Sequence, residues 1–200
     1  MSSEIEQLIA EAQRVLPRHL GSRGAAHSRA VAETAASLAR EYGADERRAF
    51  LGGLLHDWAR DVPAEELLKE AARRGIPVTE VDREVPYLLH AAVGAAQARD
   101  ALGGLPEDVF RAVERHTLAA PGMTALEAIV FVADMLEPGR DYPAAEELRS
   151  LAGSAPLPVL FVAAYARSLT HVIETRRHLH PASVPAWNAA IAAAEGLKTP

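Results

Sequence analysis

The chain has 200 residues, a formal net charge of −6, 49% apolar residues and 24% charged residues. These values suit one globular domain and argue against a disordered chain. The acidic balance argues against a nonspecific DNA or anionic-membrane surface, and the absence of cysteine excludes disulfide scaffolds, thiol catalysis and thiolate-bound zinc. Alanine makes up about a fifth of the chain and aromatic residues 5%, a bias toward closely packed helices.

The apolar spacing is helical almost throughout. A first helix is expected over Glu4–Leu16, closed by Pro17, and a second over Ala25–Tyr42, stopped by Gly43. Asp45 is an N-cap for Glu46–Trp58, and Pro63 opens Ala64–Arg74 with Gly75 as its stop. Further helices are expected over Val85–Leu102, Pro106–His116, Thr124–Leu136, Pro143–Leu151, Pro158–His178 and Val184–Leu197. No run alternates as a strand does, no linker divides the chain and no repeat is found. The expected fold is all-α, one helical domain over residues 1–200 with its core at about 20–182. No basic-then-apolar leader opens the sequence, and no stretch approaches the roughly 18 apolar residues of a membrane span. A cytoplasmic protein with no membrane partner is therefore expected.

Four histidines and two aspartates stand in apolar surroundings. His56-Asp57 follow Gly52-Gly53-Leu54-Leu55, and His27 lies in the Ala-rich second helix. His90 follows Tyr87-Leu88-Leu89, His116 closes the helix with Val109, Phe110 and Val113, and Asp134 follows Ile129-Val130-Phe131-Val132-Ala133. Taken singly, each histidine reads as a satisfied core residue. A carboxylate in such a setting must be paired, protonated or metal-bound, because leaving it bare costs about several kcal/mol. Together these donors suit Fe(II), Mn(II) or Zn(II). No GxxxxGK[ST] or GxGxxG loop is present.

The order His27, His56-Asp57, His90, His116, Asp134 resembles the HD-domain metal-dependent phosphohydrolases. More narrowly, the chain resembles the bacterial YqeK family of symmetrical bis(5′-nucleosyl)-tetraphosphate hydrolases. The strings that carry the resemblance are LLHDWARDVP (54–63), PYLLHAAVGAAQA (86–98), ERHTLAAPGMTALEAIVFVADMLEPGRDYP (114–143) and HLHP (178–181). The third is long and unusual.

The resemblance implies that His27, His56, Asp57 and Asp134 hold a divalent metal, iron first and manganese as the alternative, in a centre of one or two ions. His90 and His116 would complete a second metal site or contact phosphate. Asp57 and Asp134 would serve the chemistry, with Arg60 as a phosphate cation. Thr117, Arg140 and the segment Arg177, His178, Leu179, His180 and Pro181 would contact the nucleotide. The implied reaction is hydrolysis of diadenosine tetraphosphate to two ADP, with a small-molecule nucleotide as substrate, no DNA partner, and a homodimer as one open assembly. Near His27 the chain departs from the family pattern. Gly24-Ala25 replace Arg-Tyr and Ala30 replaces a later Arg, while Arg23 and Arg29 are each shifted by one position, about 100° around a helix. Another nucleotide as substrate, or a binding module without activity, are the rival readings.

Overall fold

Helices form the regular structure of residues 2–196 in the computed structural model, with no strand among those described residues. Met1 and residues 197–200, including Leu197 at the expected end of the last helix, lie outside the described residues.

The elements are α1 (Ser2–Val15), α2 (Ser22–Tyr42), α3 (Glu46–Leu55), α4 (Ala64–Arg74), α5 (Glu80–Glu84), α6 (His90–Ala101), α7 (Glu107–Arg115), α8 (Ala125–Leu136), α9 (Pro143–Leu151), α10 (Leu157–Glu174) and α11 (Ser183–Glu195). Short 3₁₀ turns occupy Leu16–Arg18 and Pro86–Leu89. The Asp45 carboxylate accepts from the backbone N–H groups of Arg47 and Arg48, as an N-cap should. Thr124 and Glu127 form a capping box that starts α8.

Helices α2, α3 and α8 make the centre, with α1 against α3, α7 against α8 and α3, α10 against α8, and α11 against α10. Leu51, Leu54, Leu55, Ile129, Val130, Val132 and Leu160 are fully buried there. Two glycines let the centre close. A Cβ at Gly53 would stand 2.8 Å from the Ala32 Cα, and one at Gly52 would stand 2.9 Å from Val130 Cγ2. A larger residue at position 53 would push α2 and α3 apart, and these two helices carry His27 and lead to His56.

Several expected boundaries move, each for a local reason. Helix α2 begins at Ser22, so His27 lies in its second turn rather than at its start. Helix α3 stops at Leu55, not Trp58. His56 Nδ1–H takes the Gly53 carbonyl at 2.7 Å, which a continuing helix would offer to the next amide, and residues 56–61 follow as turns. The expected Val85–Leu102 helix starts one residue later, as the 3₁₀ turn Pro86–Leu89 that runs into α6, because Pro86 lacks an N–H and holds Val85 at φ −129°, ψ 67°. Helix α10 ends four residues before His178, and Arg176 just beyond it takes a left-handed φ of 54°. Helix α5 was not expected, although the Thr79–Asp82 capping box that starts it is visible in sequence.

Candidate metal centre

The four histidines share one construction. His56, His90 and His116 each donate their Nδ1–H to the carbonyl three residues earlier, Gly53 at 2.7 Å, Tyr87 at 2.6 Å and Val113 at 2.7 Å. A carbonyl only accepts, so Nδ1 carries a proton, and whenever the imidazole is neutral its Nε2 presents a lone pair. His27 Nδ1 lies 3.2 Å from the Glu137 carboxylate, which can orient the ring in the same way.

All four Nε2 atoms face Asp57. Its Oδ2 is 3.3 Å from His56 Nε2 and 3.7 Å from His27 Nε2. Its Oδ1 is 3.3 Å from His90 Nε2 and 3.8 Å from His116 Nε2. One carboxylate thus addresses two histidine pairs, one with each oxygen. Asp134 Oδ1 stands 3.0 Å from His27 Nε2 and 3.7 Å from His56 Nε2. The ligand atoms of His27, His56 and Asp57, and separately those of Asp57, His90 and His116, lie within 4.8 Å of one another.

The charges follow from this enclosure. Burial works against a charge on His56, but Asp57 and Asp134 overcome it and lift the imidazolium to about 9. Burial also opposes ionisation of Asp57, yet His56, His116 and His90 hold its carboxyl far below the usual range. Asp134 is likewise held low against burial by His27, His56 and Arg140. Burial pushes the His116 imidazolium down.

These donors fit a divalent metal. His56 Nε2 is buried and has no hydrogen-bond partner among the described residues. His90 Nε2 and His116 Nε2 face each other at 3.2 Å while both Nδ1 atoms already carry the protons. Two lone pairs at that distance repel unless a cation lies beside them. Neutral imidazole with carboxylate is a donor set for iron, manganese or zinc.

Two cavities open on the cluster. One of about 700 Å³ is lined by His27, Asp57, Arg60, Glu137 and Arg140, with Arg23 and Gly24 also on its wall. A smaller one of about 130 Å³ is lined by Arg60, Tyr87, His90, His116, Thr117, Asp134 and Ser168. Arg60 Nη1 holds both Asp57 oxygens, at 2.9 and 3.2 Å. Arg140 pairs through Nη2 with Asp134 Oδ1 and through Nε with the Asp134 carbonyl at 2.7 Å. Thr117 Oγ1 is 3.1 Å from His116 Nε2. Ala30 also lines the larger cavity, whereas Arg29 is exposed outside it.

The segment Arg177–Pro181 lines neither cavity. His178 is exposed and pairs with Glu84. His180 is buried in a separate cavity of about 190 Å³, accepting from the Ala182 N–H through Nδ1 and reaching Thr79 Oγ1 and Asp82 Oδ2 through Nε2, at 3.2 and 3.4 Å. Leu179 is an exposed apolar residue, and Arg177 and Pro181 are also exposed. Sequence reasoning missed Glu137 and Tyr87. Glu137 is buried, and its other oxygen accepts from the Gly139 N–H at 2.6 Å. The Tyr87 ring stacks on His90 at 4.6 Å and carries the Arg60 guanidinium at 5.4 Å. The signal for Glu137 was its place between an apolar helix and Pro138-Gly139.

Residues 24–139 match the HD-domain family model, a span that contains all six candidate ligands. The chain belongs to the HD-domain family. Among HD-domain relatives, the symmetrical bis(5′-nucleosyl)-tetraphosphatase of Bacillus subtilis is 40% identical over 126 residues, 63% of this chain and 67% of that protein. The Halalkalibacterium halodurans protein of the same name is 30% identical over 89% of this chain and 94% of that one. A crystal structure of a predicted HD superfamily hydrolase involved in NAD metabolism, from Clostridium acetobutylicum, superposes with a TM-score of 0.87 at 32% identity. That match covers 92% of this chain and 97% of the other.

Proposed function

We propose that the chain is a metal-dependent phosphohydrolase that splits diadenosine tetraphosphate symmetrically into two ADP. The observation that carries this reading is Asp57, whose two oxygens each face a pair of histidine Nε2 atoms. The names of the HD-domain relatives supply the substrate. His27, His56, Asp57 and Asp134 would hold one divalent ion, and His90 and His116 with Asp57 a second. Iron is the proposed metal, with manganese as a substitute. Bound there, divalent ions supply Lewis-acid neutralisation of phosphoryl charge and an acidified water.

The chain's own groups do the rest. Asp134 is held ionised by its neighbours, so it accepts a hydrogen bond from the attacking water rather than storing a proton. A guanidinium has five N–H donors, more than the contacts of Arg60 and Arg140 use, so both can also hold phosphoryl oxygens. The water oxygen bonds to the second phosphorus from one nucleoside, and the proton it loses passes to solvent. The bond from that phosphorus to the central bridging oxygen breaks, and the second ADP leaves with the electron pair and that oxygen. ADP is already a good leaving group, so the site needs no strong general acid. Thr117, which lines the smaller cavity, is proposed to contact the same phosphates, and any contact from Arg177–Pro181 is proposed for the outer nucleoside. The reaction is proposed to take place in the cytoplasm, without DNA.

The test is a substrate panel on anaerobically purified protein of known metal content. Diadenosine tetraphosphate should be turned over fastest. Rapid hydrolysis of a mononucleotide or dNTP with the dinucleotide untouched would replace this reading with another HD phosphohydrolase.

A further inference from the structure

The turn Leu136–Arg140 carries two groups that touch the cluster: Glu137 on His27 and Arg140 on Asp134. Helix α8 ends at Leu136, the first residue of this turn, and a helix end leaves backbone carbonyls without intrahelical partners. Here the Asp134 carbonyl goes to Arg140 Nε and the Met135 carbonyl to the Tyr142 hydroxyl, while the Leu136 carbonyl and two carbonyls of the turn go to one side chain from α9. Arg149 Nε donates to the Leu136 carbonyl at 3.0 Å, and its Nη2 donates to the Glu137 carbonyl at 3.0 Å and the Arg140 carbonyl at 2.8 Å. Its Nη1 reaches Glu146 at 3.2 Å. Three of its contacts therefore fall on the backbone of the two residues that touch the cluster and of the residue before them.

We propose that Arg149 is a positioning residue of the hydrolase, clamping the Leu136–Arg140 turn so that Glu137 orients His27 and Arg140 stays beside Asp134. This rests on the hydrolase reading above. A flat guanidinium can address carbonyls on successive residues through a rigid fork, whereas a lysine ammonium is a point donor on a flexible stem. The turn is also tied by its own Glu137–Gly139 contact, so loss of Arg149 should loosen the turn without unfolding α8.

The test compares Arg149→Ala and Arg149→Lys with the wild-type holoenzyme. Arg149→Ala should lower kcat/KM for diadenosine tetraphosphate by about 10- to 100-fold, the usual size of an effect passed through the groups that orient metal ligands. Helix content by circular dichroism should be retained, and Arg149→Lys should recover part of the loss. In an Arg140→Ala, Glu137→Gln background, Arg149→Ala should cost less than about a further twofold, because the groups it positions are gone. The visible spectrum of the Co(II)-loaded protein, which needs no substrate, should shift in Arg149→Ala through the reoriented His27. A folded variant with wild-type kcat/KM and an unchanged Co(II) spectrum overturns the proposal, as does a loss that multiplies fully with the double background. If Arg149→Ala fails to fold, Arg149→Lys is judged by the same two measurements. If the wild type cleaves no dinucleotide, the substrate reading fails and the Co(II) spectrum still decides the role of Arg149.

Discussion

Asp57→Asn in the metal-free protein should remove most of a pH dependence of stability that the wild type shows. His56 is fully buried, and its imidazolium is lifted from an ordinary 6.5 to about 9 despite that burial, chiefly by Asp57. That difference corresponds to about 3 kcal/mol of folding stability. The folded value is raised, so the contribution is fully present below the unfolded value near 6.5 and is lost as pH rises through about 9. Asparagine keeps the shape of the side chain and removes its charge. Asp134, 3.7 Å from His56 Nε2, remains, so the dependence should shrink strongly without vanishing. Arg60 loses its partner but is 38% exposed and can turn to water. The assay is urea denaturation followed by helical circular dichroism in the presence of chelator, from about pH 6 to about pH 10. Lysines titrate alike in both proteins, so the difference between them isolates the His56–Asp57 pair. Adding a divalent metal should flatten the wild-type curve, because a ligated imidazole must be neutral. A flat metal-free wild-type curve, or the same slope in Asp57→Asn, would refute the electrostatic account of the cluster.

Asp134→Ala should abolish both metal binding and turnover, whereas Arg140→Ala should weaken turnover while metal content by elemental analysis stays at the wild-type level. Glu137→Gln should lower metal affinity by about 10-fold or more, read by competition with a chromophoric chelator, because the carboxylate that fixes the His27 ring is neutralised. Gly53→Ala should destabilise the metal-free protein by about 1–3 kcal/mol, since its new methyl meets the Ala32 backbone and not a movable side chain. A thermal melt that leaves Gly53→Ala at the wild-type Tm would contradict the close α2–α3 crossing.

The candidate ligands were legible because each is a polar residue in a run that otherwise has every reason to be buried. Asp134 after Ile129–Ala133 and His56-Asp57 after Leu54-Leu55 are polar breaks in apolar runs, and all six candidate ligands converge. Helices with strong stops at both ends, such as Ala64–Arg74, fell where the stops put them. What the pattern hid was tertiary or backbone-borne. The carbonyls that set three histidine tautomers belong to Gly53, Tyr87 and Val113, and no side-chain identity announces them. Glu137 reads as an ordinary acid at a helix end until His27 is brought to it from 110 residues away. Arg149 reads as a surface helix residue, because its partners are carbonyls of a turn whose shape the sequence does not reveal. Helix α10 ends early for a similar reason: Thr175 folds its hydroxyl onto the His171 carbonyl and Arg176 turns left-handed, which apolar spacing cannot show.

The most direct measurement is chromatography of the products that the metal-loaded protein forms from diadenosine tetraphosphate. If the cluster places the second phosphate from a nucleoside at the point of attack, ADP should be the sole nucleotide product from the start of the reaction, and it should disappear with Asp57→Asn. AMP and ATP in equal amounts would mean that the bridge between the first and second phosphates breaks instead of the central one, and would contradict the symmetrical reading.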